Sequence, residues 1–175
     1  MFAPSTDSDD DSTCRSFDAV IAAADAPVWV ITTVARGRRA GCLVGFATQV
    51  GISPRRFLAA LSKNNHTGVI AGGATHLAVH LLTADRFKVA RLFATTSGDR
   101  TDKFARCDWV IGPHQLPVLT AAAGWFTARI VERINLGDHV GLVLDPDTAT
   151  APPATSVAAA LHNSAVADLT AGHRP

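Results

Sequence analysis

Between Gly41 and Thr67 the chain reads GCLVGFATQVGISPRRFLAALSKNNHT, two extended runs joined across Ser53-Pro54 and followed by a short polar loop. Runs rich in β-branched and aromatic residues on either side of a Ser-Pro turn commit this part of the chain to paired strands. Side chains alternate along a strand, so Val44, Phe46, Thr48, Val50 and Ile52 are expected on one face, turned to a core. Leu43, Gly45, Ala47, Gln49 and Gly51 then share the other face, and three of those five are Gly or Ala. Glycine inside a strand marks a place where a ligand or another backbone comes close. That face therefore suits a ligand, or equally a neighbouring strand or subunit.

Phe57 to Leu61 (FLAAL) has the length and apolarity of a buried strand. Ser62, Lys63, Asn64, Asn65, His66 and Thr67 follow, dense in hydrogen-bond donors, and residues 68–71 read as a brief helix with Thr67 as its N-cap. Free N–H groups at a helix start, with a lysine nearby, attract anions. The same residues are also ordinary turn chemistry, so the loop reads either as a solvated turn or as a phosphate-holding one.

The remainder is mostly strand. Val28 to Val34 is β-branched and runs into a hairpin turn over residues 36–39. Thr75 to Leu82 alternates, Asp85 to Phe93 has the spacing of an amphipathic helix begun at Thr83 or Asp85, and residues 125–134 and 140–144 form a hairpin. Many short strands with two or three helices predict a mainly β fold, an antiparallel barrel with appended helices. Residues 16–145 are expected to carry it as one domain. The acidic, Ser/Asp-rich residues 1–15 are expected to be disordered. The Ala/Pro-rich residues 146–175 are expected to form a loosely docked helix over 156–169, capped by Ser156, or to be disordered.

A net charge of +1 over 175 residues offers no field to recruit nucleic acid, and no apolar run reaches the ~20 residues that span a bilayer. The acidic start lacks the order of a signal peptide. Three scattered cysteines, Cys14, Cys42 and Cys107, imply neither a disulfide framework nor a zinc site. A reducing, cytoplasmic setting is expected. On a strand, His76 and His80 stand ~13 Å apart, too far for one ion, so no metal is expected there. There is no G-x-S-x-G elbow and no G-x-G-x-x-G fingerprint, which removes the common signatures of nucleophilic hydrolysis and of Rossmann dinucleotide binding. Trp29, Trp109 and Trp125 read as core or interface anchors.

Gly41, Val50, Ile52 and Pro54, a short apolar strand, and then Lys63, Asn65 and Thr67 together resemble the flavin-binding pattern of the flavin reductase-like proteins, which are FMN-binding split barrels. The likeness continues, in the same order, through FATTSGDRTDKF (residues 93–104), Leu116-Pro117-Val118-Leu119 and Gly137-Asp138-His139. The resemblance implies a split β-barrel, built as a homodimer with flavin near the subunit interface. It implies NAD(P)H-dependent reduction of FMN, or of FAD, with the reduced flavin passing to a monooxygenase partner. The cofactor-binding residues it implies are Leu43, Val44, Gly45, Phe46, Ala47, Thr48, Gln49, Ser62, Lys63, Asn64, Asn65 and Thr67. Lys63, Asn65 and Thr67 would hold phosphate or ribityl oxygens. His139 is the implied catalytic residue, beside flavin and nicotinamide; as plain sequence, Gly-Asp-His is also a hairpin turn. Leu43, Gly45, Phe46, Gln49 and Gly51 stand where the family carries hydroxyl residues, and Arg55 where it carries a second proline. The alternatives are a flavin-binding or interaction module without turnover, and a deazaflavin-dependent reductase.

Overall fold

The computed structural model describes residues 7–153 and 159–172. The described residues form nine strands: β1 (Trp29–Ala35), β2 (Arg38–Val44), β3 (Ala47–Ile52), β4 (Arg55–Ser62), β5 (His76–Leu81), β6 (Trp109–Ile111), β7 (Pro117–Leu119), β8 (Gly124–Leu136) and β9 (His139–Thr150). The helices are α1 (Asp7–Ala24), α2 (His66–Gly72) and α3 (Phe87–Thr95). Seven strands form one antiparallel sheet in the order β2-β1-β5-β8-β9-β4-β3, and β6 pairs with β7 apart from it. The sheet's two outer strands, β2 and β3, are consecutive in sequence, and Ala60 N–H donates to Phe46 O at 2.8 Å across the join. The sheet thus curls back on itself as a split β-barrel.

Two apolar layers stabilise it. Inside the barrel Ile31, Cys42, Phe57, Leu77, Leu142 and Leu144 pack together, and Ala71 and Ala74, at the end of α2 and just beyond it, join them. Outside, α3 presses Ala90 and Phe93 onto Val28, Val30 and Leu82. Neighbouring residues of β1 therefore serve both layers, which is why Val30 and Ile31 are both fully buried. Gly41 permits this seat: a Cβ there would stand 2.7 Å from a Phe93 ring carbon.

Most expected strands are present, but the run from Gly41 to Ile52 is broken. The chain bends at Gly45-Phe46 between β2 and β3, so the face expected to turn inward does not hold together. Val44 is buried, whereas Phe46, Val50 and Ile52 are 62%, 51% and 83% exposed. β3 is the last strand of the curled sheet and has no layer over this face, and alternation alone does not reveal that. The small helix over 68–71 forms, yet its cap is Asn65, whose carboxamide oxygen accepts from Thr67 N–H at 2.8 Å. The 85–93 helix begins as a 3-10 turn at Ala84, after Thr83.

Both termini depart from expectation. The acidic segment expected to lack structure is helical from Asp7, and Ala19, Ala22, Ala23 and Ala24 supply strong helix formers towards its end. Residues 1–6 lie outside the described residues. Strand β9 continues to Thr150, so a domain limit at 145 cuts through it. Ser156, the expected cap, lies outside the described residues, and 159–172 do not form the expected helix. Leu161 is instead buried, with its N–H and C=O paired to Leu82 and Val28 at 2.9 Å each, and a 3-10 turn follows at Asn163–Val166. Extended pairing gives an alanine-rich segment hydrogen bonds that a weakly apolar helix face does not supply.

Candidate functional site

A groove opens where β2 and β4 end and the β8–β9 turn closes over them. One lobe, of about 350 Å³, is lined by residues 42–46, 60–62, Asn65, Asp138 and His139. A second, of about 470 Å³, adds Ala47, Thr48, Leu58 and Leu136. The lobes share Gly45, Phe46, Ala60, Asp138 and His139, so they lie side by side. Their lining is mainly apolar and small, with a few polar groups at one side, the make-up of a site for a flat aromatic ligand.

His139 is set in place from three directions. It opens β9 opposite Ser62 in the ladder. Its Nδ1 lies 2.9 Å from Asp138 Oδ1, and that hydrogen bond holds the Asp138 carboxyl below the usual carboxylate range. The Phe46 ring meets the imidazole edge-on, with centroids 5.3 Å apart and planes at 72°. The side chain stays 23% exposed, so it is oriented yet open to the groove.

The polar loop divides. Ser62 and Asn65 line the first lobe. Lys63 does not: its ammonium donates to Asn135 Oδ1 at 2.7 Å and to Gly137 O, and its N–H donates to Asp138 O at 3.0 Å. The lysine expected to hold phosphate is a clamp on the β8–β9 turn, because that turn places acceptors within reach of β4's end. Thr67 is buried beneath the loop and Asn64 does not line the groove. Gln49 also lies outside it, donating to Gly51 O at 2.9 Å. Of the expected ligand-binding residues, Leu43, Val44, Gly45, Phe46, Ala47, Thr48, Ser62, Asn65 and His139 come together; Gln49, Lys63, Asn64 and Thr67 do not.

Other contributors were not assigned to the site from the sequence. Ala171 lines the first lobe, and Asn163 Oδ1 stands 2.9 Å from where a Gly45 Cβ would be, so the chain's end packs over the glycine. Cys42 lines the same lobe, with its thiol pushed up by burial. Lys103 is buried and donates to Gly41 O at 2.9 Å and Phe93 O at 3.2 Å, joining the 93–104 segment to β2. Burial lowers its pKa. A separate polar cavity of about 410 Å³ includes Arg38, Arg39, Arg100, Lys103 and His66, with His66 Nδ1 2.5 Å from Asp99. His80 is no metal ligand: it is buried, with Nδ1 2.9 Å from Val30 O and Nε2 accepting from Leu119 N–H at 3.2 Å.

Residues 22–168 match the family model described as a flavin reductase like domain. The stachydrine N-demethylase reductase subunit Stc3 of Rhizobium meliloti is 30% identical over 117 residues, 65% of this chain and 50% of that protein. The 4-hydroxyphenylacetate 3-monooxygenase reductase component of Pseudomonas aeruginosa is 30% identical over 75% of this chain and 78% of its own length. The chain spans half of Stc3 and 37% of two further curated relatives it matches. In structure it is similar to the NADH:FAD oxidoreductase SgcE6 of Streptomyces globisporus in complex with NAD and FAD fragments, with a TM-score of 0.72, 26% identity and 90% of each chain covered.

Proposed function

The chain belongs to the flavin reductase-like family, and on that premise we propose that it is an NAD(P)H:flavin oxidoreductase holding FMN, with FAD as second choice, in the groove beside His139. The observation that carries this reading is the convergence of β2's end, β4's end, Asn65 and the β8–β9 turn on two adjoining cavities that share His139. When bound, the flavin supplies the hydride-accepting centre and NADH or NADPH the hydride. The protein supplies position and electrostatics. Gly45, Ala47 and Ala60 leave room for a flat ring, and the backbone bend at Gly45-Phe46 takes the place of the missing hydroxyls at its polar edge. Ser62 and Asn65 take ribityl or phosphate oxygens. His139, oriented by Asp138 and Phe46, orients the nicotinamide or stabilises reduced flavin. Lys63 acts on the site through the turn it clamps.

We further propose a homodimer. Phe46, Val50 and Ile52, with Val131, Ile134 and Leu136 on the long hairpin, leave apolar side chains 37–83% exposed beside the groove, and a second copy would cover them. Light scattering that returns a monomer at micromolar concentration refutes the assembly. A monooxygenase that takes up the reduced flavin is the proposed partner, in line with the printed role of the Pseudomonas relative. The cytoplasm is the proposed setting, since Cys14, Cys42 and Cys107 are all free thiols. No described helix is long and apolar enough to cross a membrane.

The deciding experiment adds FMN or FAD to the purified protein and then NADH or NADPH without oxygen. Bleaching of the flavin absorbance, slowed in His139→Ala, is the expected result. A flavin-loaded protein that neither nucleotide bleaches refutes the reductase and leaves a binding module. A protein that takes up no flavin refutes both.

A further inference from the structure

Three side chains far apart in sequence meet towards the other end of β9 from His139. His76 begins β5, His114 sits in the 3-10 turn Pro113–Gln115 between β6 and β7, and Asp147 lies on β9. Asp147 Oδ2 is 3.0 Å from His114 Nε2 and 3.7 Å from His76 Nε2. One ligand atom from each residue lies within 4.8 Å of the other two. Nitrogen and oxygen ligands each ~2.1 Å from a tetrahedral ion stand roughly 3.4 Å apart, and the two observed spacings straddle that value.

The atoms behind this triangle are also held. His76 Nδ1 is 2.9 Å from Thr75 Oγ1, which leaves Nε2 to face the cluster. The Thr127 hydroxyl donates to Asp147 Oδ1, which leaves Oδ2 facing the two imidazoles. Metal-binding histidines and carboxylates are fixed by outer partners of this kind. The nearby cation Arg129 is engaged by Asp145 at 3.0 Å. His114 has φ 56°, in the left-handed region, and from that turn its ring overlies His76 with centroids 3.8 Å apart and 14° between planes. Lone pairs lie in the ring planes, so binding requires the rings to splay by turning about Cβ–Cγ. Their 20% and 39% side-chain exposure leaves space for that movement, and for a water in the fourth position.

We propose that His76, His114 and Asp147 bind one divalent transition-metal ion of the zinc, nickel and copper class, which staples the β6–β7 hairpin to the main sheet. Two imidazoles and a carboxylate select that class over calcium or magnesium, which take oxygen ligands. The staple is structural. Eight residues of strand separate His139 from Asp147, about 26 Å at ~3.3 Å per residue, so the ion lies away from the groove. The inference stands independently of the flavin reading.

The test is calorimetric titration of the chelator-treated full chain with zinc chloride, with melting temperature read in parallel. One ion per chain and a rise in melting temperature are expected. His114→Ala and Asp147→Asn should each weaken binding at least about 10-fold, and Thr127→Val about 10- to 100-fold. Copper(II) added to the same protein should show nitrogen coupling in its paramagnetic resonance spectrum, lost stepwise in His76→Ala and His114→Ala. His114 is exposed, so its variant should keep the wild-type fold and flavin uptake. Absence of saturable zinc binding overturns the proposal, as does zinc binding of equal strength in His114→Ala.

Discussion

Lowering the pH should weaken this fold through His80. His80 is buried between β1 and β7, and both ring nitrogens are used: Nδ1 with Val30 O and Nε2 with Leu119 N–H. Nε2 can accept only while the imidazole is neutral, with Nδ1 then donating. Desolvation lowers its pKa from 6.5 to about 4, with the Val30 hydrogen bond opposing that shift. The unfolded chain takes up a proton near pH 6.5 and the folded one only near 4, so between those values the unfolded state binds more protons. Stability contributed by neutral His80 is therefore fully present above pH 6.5 and lost as pH falls through 4. At 1.36 kcal/mol per unit, the loss between pH 7 and pH 4 is about 3 kcal/mol. For a chain of this size that is roughly 6–12 °C in melting temperature. His80→Gln removes the titration while leaving other groups in place. It should be less stable at pH 7 by about 1–3 kcal/mol, because a buried hydrogen bond is lost. Urea unfolding of both proteins from pH 7 to pH 4 should show their curves converging. Parallel curves would refute the assignment of acid sensitivity to His80.

Three further outcomes test the packing and the groove. Phe93→Ala should cost about 3–5 kcal/mol in denaturant unfolding, since the ring is 1% exposed and seats α3 on the barrel. Gly41→Ala should destabilise by about 1–3 kcal/mol, because its Cβ meets Phe93 and, at 3.1 Å, Ile31 O; Gly45→Ala should cost less, as its Cβ meets only the flexible end of Asn163, and thermal melts that reverse this order would contradict the account. Lys63→Ala should weaken FMN uptake in a fluorescence titration while leaving the melting temperature within about 4 °C, because it frees the turn carrying His139 without opening the core; unchanged uptake would remove Lys63 from the site altogether.

What the sequence disclosed follows the range of the interactions involved. The β1–β2 and β8–β9 hairpins are encoded by neighbours, with Gly37 and Gly137 at φ 74° and 79° in the turns, and they appear where alternation places them. The exposed faces of Phe46, Val50 and Ile52 were not legible, because alternation reports that a strand has two faces and not which one has a layer over it. The same limit hid the use of Leu161, whose burial depends on pairing with Val28 and Leu82, more than 75 residues away in sequence.

The groove shows the same division within single motifs. Lys63, Asn65 and Thr67 stand side by side in sequence, yet one clamps a turn, one caps α2 and lines the groove, and one is buried. Their shared motif arises because the loop has to be built before it can bind, and most of its donors are consumed in building it. Leu43, Gly45 and Phe46 illustrate the converse. Read as missing hydroxyls they argue against a flavin, yet all three line the groove, and the Phe46 ring meets His139 edge-on. The same separation applies to the histidine pair four apart on β5, which strand spacing excludes as a shared metal site. His80 turns into the core, while His76 meets His114 and Asp147 from 38 and 71 residues downstream, a juxtaposition created by the barrel's closure alone. Residues that shape a site are legible when their partners are near in the chain, and those that complete it across the barrel become visible only once the strands have been paired.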